Sequence, residues 1–151
     1  MVSLSDNFTL NEFTRSQTAA RLGERVTVEL TSPEYANIVT LCKEVLQPLR
    51  ELLEAPITIT SGYRPDWLNE LIGGAPNSAH LSGRAADIVV PGMSPRSVAL
   101  MIVRSGLPFN QCILEFGQWV HVSIAPMGDE PRLQVLTASK KNGATIYKEG
   151  L

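Results

Sequence analysis

Histidine and cysteine are both scarce in this chain, with two of each among 151 residues. Cys42 and Cys112 lie far apart, each among aliphatic residues. Their spacing matches no zinc-finger pattern, and they are read as small buried hydrophobes rather than a disulfide. No apolar run approaches the roughly 18 residues of a membrane span, so no membrane span is expected. Positive charge is not in excess: the net charge is −2 and the isoelectric point about 5.7. The basic residues are scattered apart from Lys140-Lys141, which excludes the footprint of a nucleic-acid binder. Met1 to Asp6 lacks the basic and apolar regions of a signal peptide. Synthesis in the cytoplasm, with any export by another route, is therefore expected. Internal repeats, low-complexity tracts and linkers are absent as well.

What is present is an ordinary globular composition, 44% hydrophobic and 19% charged. A chain of this size buries roughly 68–70% of its unfolded surface, so it needs no disulfide or structural metal to fold. One domain over residues 1–151 is expected, with its core in 32–138. Phe8 to Arg21 reads as a short helix with polar turns. Ser32 caps a long helix with Pro33 at its first position. Ile38, Leu41, Cys42, Val45, Leu46, Leu49, Leu52 and Leu53 form its apolar stripe, and Pro48 should kink or split it. Strands are read at 57–61, 86–90, 112–116, 119–124 and 132–138, and helices at 66–72 and after Ser94-Pro95. Gly117-Gln118 reads as a tight hairpin turn. Leading helices and later antiparallel strands give an α+β class, an antiparallel sheet with packed helices. No apolar stripe is left over for self-association, so a monomer is expected.

The two histidines are His80, in Ser78-Ala79-His80-Leu81-Ser82-Gly83-Arg84-Ala85-Ala86-Asp87, and His121, in Trp119-Val120-His121-Val122-Ser123. Singly, each has an ordinary reading: a satisfied core or surface histidine, or a strand-edge aspartate. Together they are two imidazoles and a carboxylate. Three protein ligands with a fourth position left for water are the pattern of a catalytic zinc site rather than a structural one. Gly83, Ala85 and Ala86 are small enough for a close-packed turn to bring His80 and Asp87 to one centre. His121 alternates with Val120 and Val122 on a strand, so it points away from them.

The run Ser78-x-His80-x-x-Gly83-x-Ala85-x-Asp87 resembles the S-x-H-x-x-G-x-A-x-D motif of the zinc D-alanyl-D-alanine carboxypeptidases and their relatives. These include the dipeptidases of vancomycin resistance and the L-alanyl-D-glutamate endopeptidases of phage endolysins. Trp119-Val120-His121 resembles that family's second signature, and Ser61-Gly62-Tyr63-Arg64 its S-G-Y-R segment. The matches fall in family order across residues 57 to 124. Leu4-Ser5-x-Asn7-Phe8 with Glu12-Phe13 is similar to the small single-domain phage and prophage branch. The resemblance implies the fold shared with the Hedgehog N-terminal domain. It also implies one zinc ion per chain held by His80, Asp87 and His121, with zinc-bound water as nucleophile. Arg64 would then stabilise the oxyanion, with a surface arginine at a helix start as the plainer reading. Ser78, Tyr63 and Trp119 would contact substrate; Ser78 reads equally as a turn serine and Trp119 as a core aromatic. Gly73-Gly74 reads as a helix stop that could also line the cleft. The implied substrate is a peptidoglycan stem peptide or a D-Ala-containing dipeptide. The protein would act at the cell wall after release by phage lysis or in a virion, or on dipeptides inside a host.

The family commonly has Glu or Asp three residues before its last histidine, and this chain has Gln118, whose amide cannot act as a base. Glu115 is the nearest carboxylate, with Asp129 and Glu130 as further candidates. A two-residue hairpin at Gly117-Gln118 pairs Glu115 with Val120 and turns it from His121. A bulge at Gly117 shifts the register by one and restores it. Three readings follow. Glu115 and Arg64 both facing the metal favours a peptidase. Both turned away favours a zinc-containing binding module of the same fold. A metal-free virion component has His80 and His121 far apart.

Overall fold

The computed structural model describes residues 1–151. The chain opens on a small hairpin of β1 (Ser3–Ser5) and β2 (Phe8–Thr9), the second strand taking the start of the segment expected as a helix from Phe8. Two short helices follow, α1 (Leu10–Thr14) and α2 (Gln17–Arg21). Each has its own start. The Thr9 amide donates to the Glu12 carboxylate at 2.7 Å, and the Ser16 hydroxyl accepts from the Ala19 amide at 3.1 Å. Leu4, Phe8 and Phe13 are buried here, so the core takes in residues ahead of position 32.

Helix α3 (Pro33–Leu41) begins where Ser32 accepts from the Tyr35 amide at 3.1 Å. It passes through a π-helical turn (Cys42–Leu46) into α4 (Gln47–Leu53). The widened turn lies just ahead of Pro48, whose missing amide and ring forbid a regular turn there. The disruption expected at Pro48 thus takes the form of a π turn. Then come β3 (Thr58–Ser61), α5 (Asp66–Leu71), a single 3₁₀ turn (Ala79–Ser82), β4 (Ala85–Val89) and α6 (Pro95–Arg104). The chain finishes with β5 (Gln111–Glu115), β6 (Trp119–Ser123), β7 (Gln134–Lys141) and β8 (Ala144–Glu149).

The six main strands form one sheet in the order β3-β4-β6-β5-β7-β8. Every pair is antiparallel except β5 with β7, which is parallel. This departs from a wholly antiparallel sheet, because the 124–133 connection carries the chain back beside β5 in the same direction. Strand β8 was not anticipated. It returns through Asn142 and Gly143, both left-handed at φ 53° and 80°, which is the backbone of a tight hairpin turn.

One sheet face carries Ala86, Ile88, Cys112, Leu114, Val120 and Val122 into a single core with the apolar stripe of α3–α4 and with Val98 and Ile102 of α6. Cys42 and Cys112 are both fully buried there as free thiols. By strand alternation the opposite face carries Asp87, His121, Ile113 and Glu115. The helices leave that face open, and the functional candidates gather on it.

Candidate metal centre and its cleft

Asp87 on β4 stands directly opposite His121 on β6, so two of the three candidate ligands meet by register alone. His80 reaches them from the 3₁₀ turn. That turn is capped at its start by Ser78, whose hydroxyl accepts from the His80 amide at 3.2 Å. It ends at Gly83, which adopts φ +75°; a Cβ there would lie 2.5 Å from the Glu34 carbonyl oxygen. Only glycine allows the turn to close against α3, and Ala85 and Ala86 behind it are fully buried. The small residues of the motif are thus the condition for bringing His80 to Asp87.

One donor atom from each of His80, Asp87 and His121 lies within 4.8 Å of the others. Asp87 Oδ1 is 3.2 Å from His80 Nε2 and 3.1 Å from His121 Nδ1. The imidazole rings stand edge to face with centroids 5.1 Å apart. This set fits a metal ion on its own chemistry. His80 Nδ1 lies 2.7 Å from the Gly62 carbonyl oxygen, an acceptor, so Nδ1 carries the proton and Nε2 presents a lone pair. Burial lowers the His80 pKa, against the opposing pull of Asp87, which favours the neutral ring. A bare Nε2 then faces a carboxylate oxygen, two acceptors with nothing between them, and a cation satisfies both. Burial alone would raise the Asp87 pKa, but the two imidazoles beside it, His80 and His121, hold it well below the usual carboxylate range. The group is an anion ready to ligate.

The triad lies in a cleft of about 580 Å³ lined also by Arg64, Ser78, Glu115 and Trp119. The Glu115 position turns on the β5–β6 loop. Glu115 pairs with Trp119 and Ile113 with His121, one residue away from the simple two-residue hairpin. The loop takes in Phe116 as well as Gly117 and Gln118, with Phe116 and Gly117 left-handed at φ 55° and 66°. That register puts Glu115 on the His121 face. Burial pushes the Glu115 pKa up, with smaller opposing effects from His121 and Arg64. Asp129 lines a separate hollow, and Glu130 is exposed on the same 124–133 connection.

The Arg64 Nη2 donates to the Ser78 hydroxyl at 3.3 Å, while its Nε is buried without a partner. Burial lowers the Arg64 pKa, and Asp87 and Glu115 pull it back up. Trp119 packs edge to face on Phe116, centroids 5.6 Å apart, with its indole Nε1 buried and unpartnered. Gly73 ends α5 with φ +73°, and Gly73 and Gly74 also line the cleft; both readings of that pair hold. Tyr63 is not brought there either. It packs against both apolar clusters and lines a different groove. Its neighbour Arg64 precedes Pro65, which favours extended backbone. Adjacent residues of extended chain face opposite ways, so Arg64 entering the cleft turns Tyr63 out.

The far wall comes from residues not anticipated: Leu136 of β7 and Tyr147 of β8, beside Gln111, Ile113 and Phe116. The Asn142-Gly143 pair, followed by Thr145, Ile146 and Tyr147, is the sequence signal that marks this hairpin.

A family model described as peptidase M15 matches residues 6–123. The zinc D-Ala-D-Ala carboxypeptidase of Streptomyces albus G is 35% identical to this chain over 83 residues, which cover 54% of this chain and 31% of that enzyme. The match thus spans about a third of this relative's length.

Proposed function

The chain belongs to the peptidase M15 family, and on that premise we propose that it is a zinc-dependent peptidase. Its substrates are the peptide stems of peptidoglycan, cut at bonds involving D-amino acids, as D-Ala-D-Ala carboxypeptidase or as endopeptidase. The observation that carries this reading is the convergence of five side chains on one cleft: His80, Asp87 and His121 within 4.8 Å by their donor atoms, with Glu115 and Arg64 on its walls. A binding module would have the last two turned away, and a metal-free structural protein would have the histidines apart.

His80, Asp87 and His121 would hold the zinc ion. When bound, zinc polarises a carbonyl oxygen and lowers the pKa of a water molecule to about 7. The Gly62 carbonyl fixes the His80 tautomer from behind. Arg64, braced on Ser78, places its guanidinium where negative charge develops on the scissile carbonyl oxygen. Glu115 accepts the proton of the attacking water and returns it to the amine as the C–N bond breaks. Gln118 cannot fill that role, and the β5–β6 register, which sets Glu115 on the His121 face, supports Glu115 for it. The similarity of the Leu4–Phe13 segment to the phage branch supports a lytic setting at the cell wall.

The test is elemental analysis of untagged protein beside His121→Ala, with mass spectrometry of stem pentapeptide digests. About one zinc per chain, lost in the variant, together with release of D-alanine or cleavage after L-alanine, is expected. Protein that neither takes up zinc nor cuts these peptides would sink the reading.

A further inference from the structure

The sheet register sets residues of the cleft in rows that cross it. One row runs Asp87, His121, Ile113, Leu136. The next runs Trp119, Glu115, Ala138, Tyr147. In that second row the position between Glu115 and Tyr147 is alanine. Ala138 is buried, 1% exposed, and its methyl group fills little of the space above the sheet. The row thus sets a carboxylate on one side of a small, covered residue and a phenol on the other, and both side chains line the same cleft.

Tyr147 is 55% exposed, so packing does not occupy it. Burial of its hydroxyl end, and then the charge of Glu115, raise its pKa above the ordinary phenol value. The group is a neutral donor at any working pH. Its strand is tied to the site at several points. β7 pairs with β5 from Gln134 to Ala138, the Phe116 amide donates to the Ala138 carbonyl at 2.9 Å, and Lys140 Nζ lies 5.3 Å from the Phe116 ring centroid. The hairpin thus holds the loop that follows Glu115, and Tyr147 is carried in a fixed relation to that carboxylate. β7 and β8 both lie beyond the residues matched by the family model.

We propose that Tyr147 is a substrate-contacting residue: its phenol hydroxyl donates a hydrogen bond to the peptide main chain beside the scissile bond, while its ring and Leu136 cover an aliphatic side chain. The inference rests on the peptidase reading above and adds to it a specificity wall facing the polar wall of Arg64 and Ser78. Methyl and aliphatic side chains of a stem peptide suit such a wall, and a charged side chain at that position does not.

The test uses zinc-loaded protein carrying Trp67→Phe, which leaves Trp119 as the only indole, and Glu115→Gln to prevent turnover. Trp119 emission is titrated with stem pentapeptide, with and without Tyr147→Phe. The active protein, with Glu115 intact, is assayed in parallel for kcat and KM. Loss of one such hydrogen bond is expected to weaken binding about two- to tenfold. It should raise KM to match, with kcat, zinc content and melting temperature unchanged. Leu136→Ala should lower discrimination between alanine and larger aliphatic residues. If the wild type cleaves the peptide and Tyr147→Phe leaves both binding and KM unaltered, this inference fails while the peptidase reading stands. If the same variant lowers the melting temperature instead of affinity, the residue is structural and the inference fails likewise. If the wild type neither binds nor cuts, both fall.

Discussion

Glu115 stands opposite Trp119 in the β5–β6 hairpin, and that one pairing puts the carboxylate on the His121 face. A loop shorter by one residue would place Glu115 opposite Val120, pointing into the helix-covered core. The register is held by two left-handed residues, Phe116 and Gly117, one of them at a conformation that costs a non-glycine residue about 1–3 kcal/mol. The edge-to-face contact of Phe116 with Trp119 and the Lys140 cation over its ring offset part of that cost.

If Glu115 is the base, Glu115→Gln lowers kcat by about 10²- to 10⁴-fold while zinc content and melting temperature hold. The same carboxyl gives a direct titration. In metal-free protein, carbon-13 NMR of Glu115 should show a midpoint above the ordinary glutamate value of about 4.3, because burial opposes ionisation. Adding zinc brings a cation near the group, favours the carboxylate and moves the midpoint down. A midpoint insensitive to zinc would place Glu115 away from the metal.

Metal removal should destabilise the fold. An ion that binds only the native state adds about 2.7 kcal/mol when present at 100 times its Kd. That is about 5–11 °C in melting temperature for a domain of this size. Calorimetry with and without chelator measures it, and His121→Ala should show no difference between the two. The metal-free protein should also be acid-labile. His80 and Asp87 both have native pKa values below their unfolded ones, so the unfolded chain binds more protons. Stability therefore falls as pH drops, first below about 6.5 for His80 and then below about 4 for Asp87. Asp87→Asn should remove the second limb.

Much of this site is legible in the sequence, and the reason is local. The spacing from Ser78 to Asp87 encodes a capped turn, a left-handed glycine and a strand, all within ten residues of chain. His121 needed only strand alternation. What could not be read depended on distant pairings. The β5–β7 parallel ladder joins segments about twenty residues apart, and no local pattern announces it. Tyr63 shares its motif with Arg64, yet neighbours in extended chain cannot both enter one cleft. The β1–β2 hairpin is too short for periodicity to show, although Leu4 and Phe8 are core residues. Asn142-Gly143 was a readable turn signal, and Tyr147 follows from it.

Gly83 is the position where a single methyl group should undo the site. At φ +75° an L-residue costs about 1–2 kcal/mol, and the new Cβ would meet the Glu34 carbonyl oxygen at 2.5 Å and the Ile38 side chain at 3.0 Å. Backbone cannot give way as a side chain tip can. Gly83→Ala is expected to cost about 2–5 kcal/mol in urea unfolding and to weaken zinc binding by displacing His80. Gly73→Ala is the control, because Gly73 has the same left-handed backbone and open space around its Cβ. It should cost only about 1–2 kcal/mol and leave zinc affinity alone. Equal losses from the two variants would mean that contact with α3 has no part in placing the ligand.

The two thiols offer a check on the other side of the sheet. Burial pushes Cys112 up to about 12, and burial with the charge of Glu12 pushes Cys42 higher still. Neither should react with a disulfide reagent in native protein at pH 8, and both should react in guanidinium. Their effect on stability runs opposite to that of the metal ligands. A native pKa above the unfolded value means that the folded chain keeps its proton while the unfolded chain loses it. Stability is therefore complete below about pH 8.5 and declines above it, by about 1.4 kcal/mol per pH unit for each thiol. Cys112→Ala should roughly halve the alkaline slope in urea unfolding, despite the small cavity it leaves. An unchanged slope would mean that Cys112 is open to solvent and that the core between α6 and β5 is looser than its packing indicates.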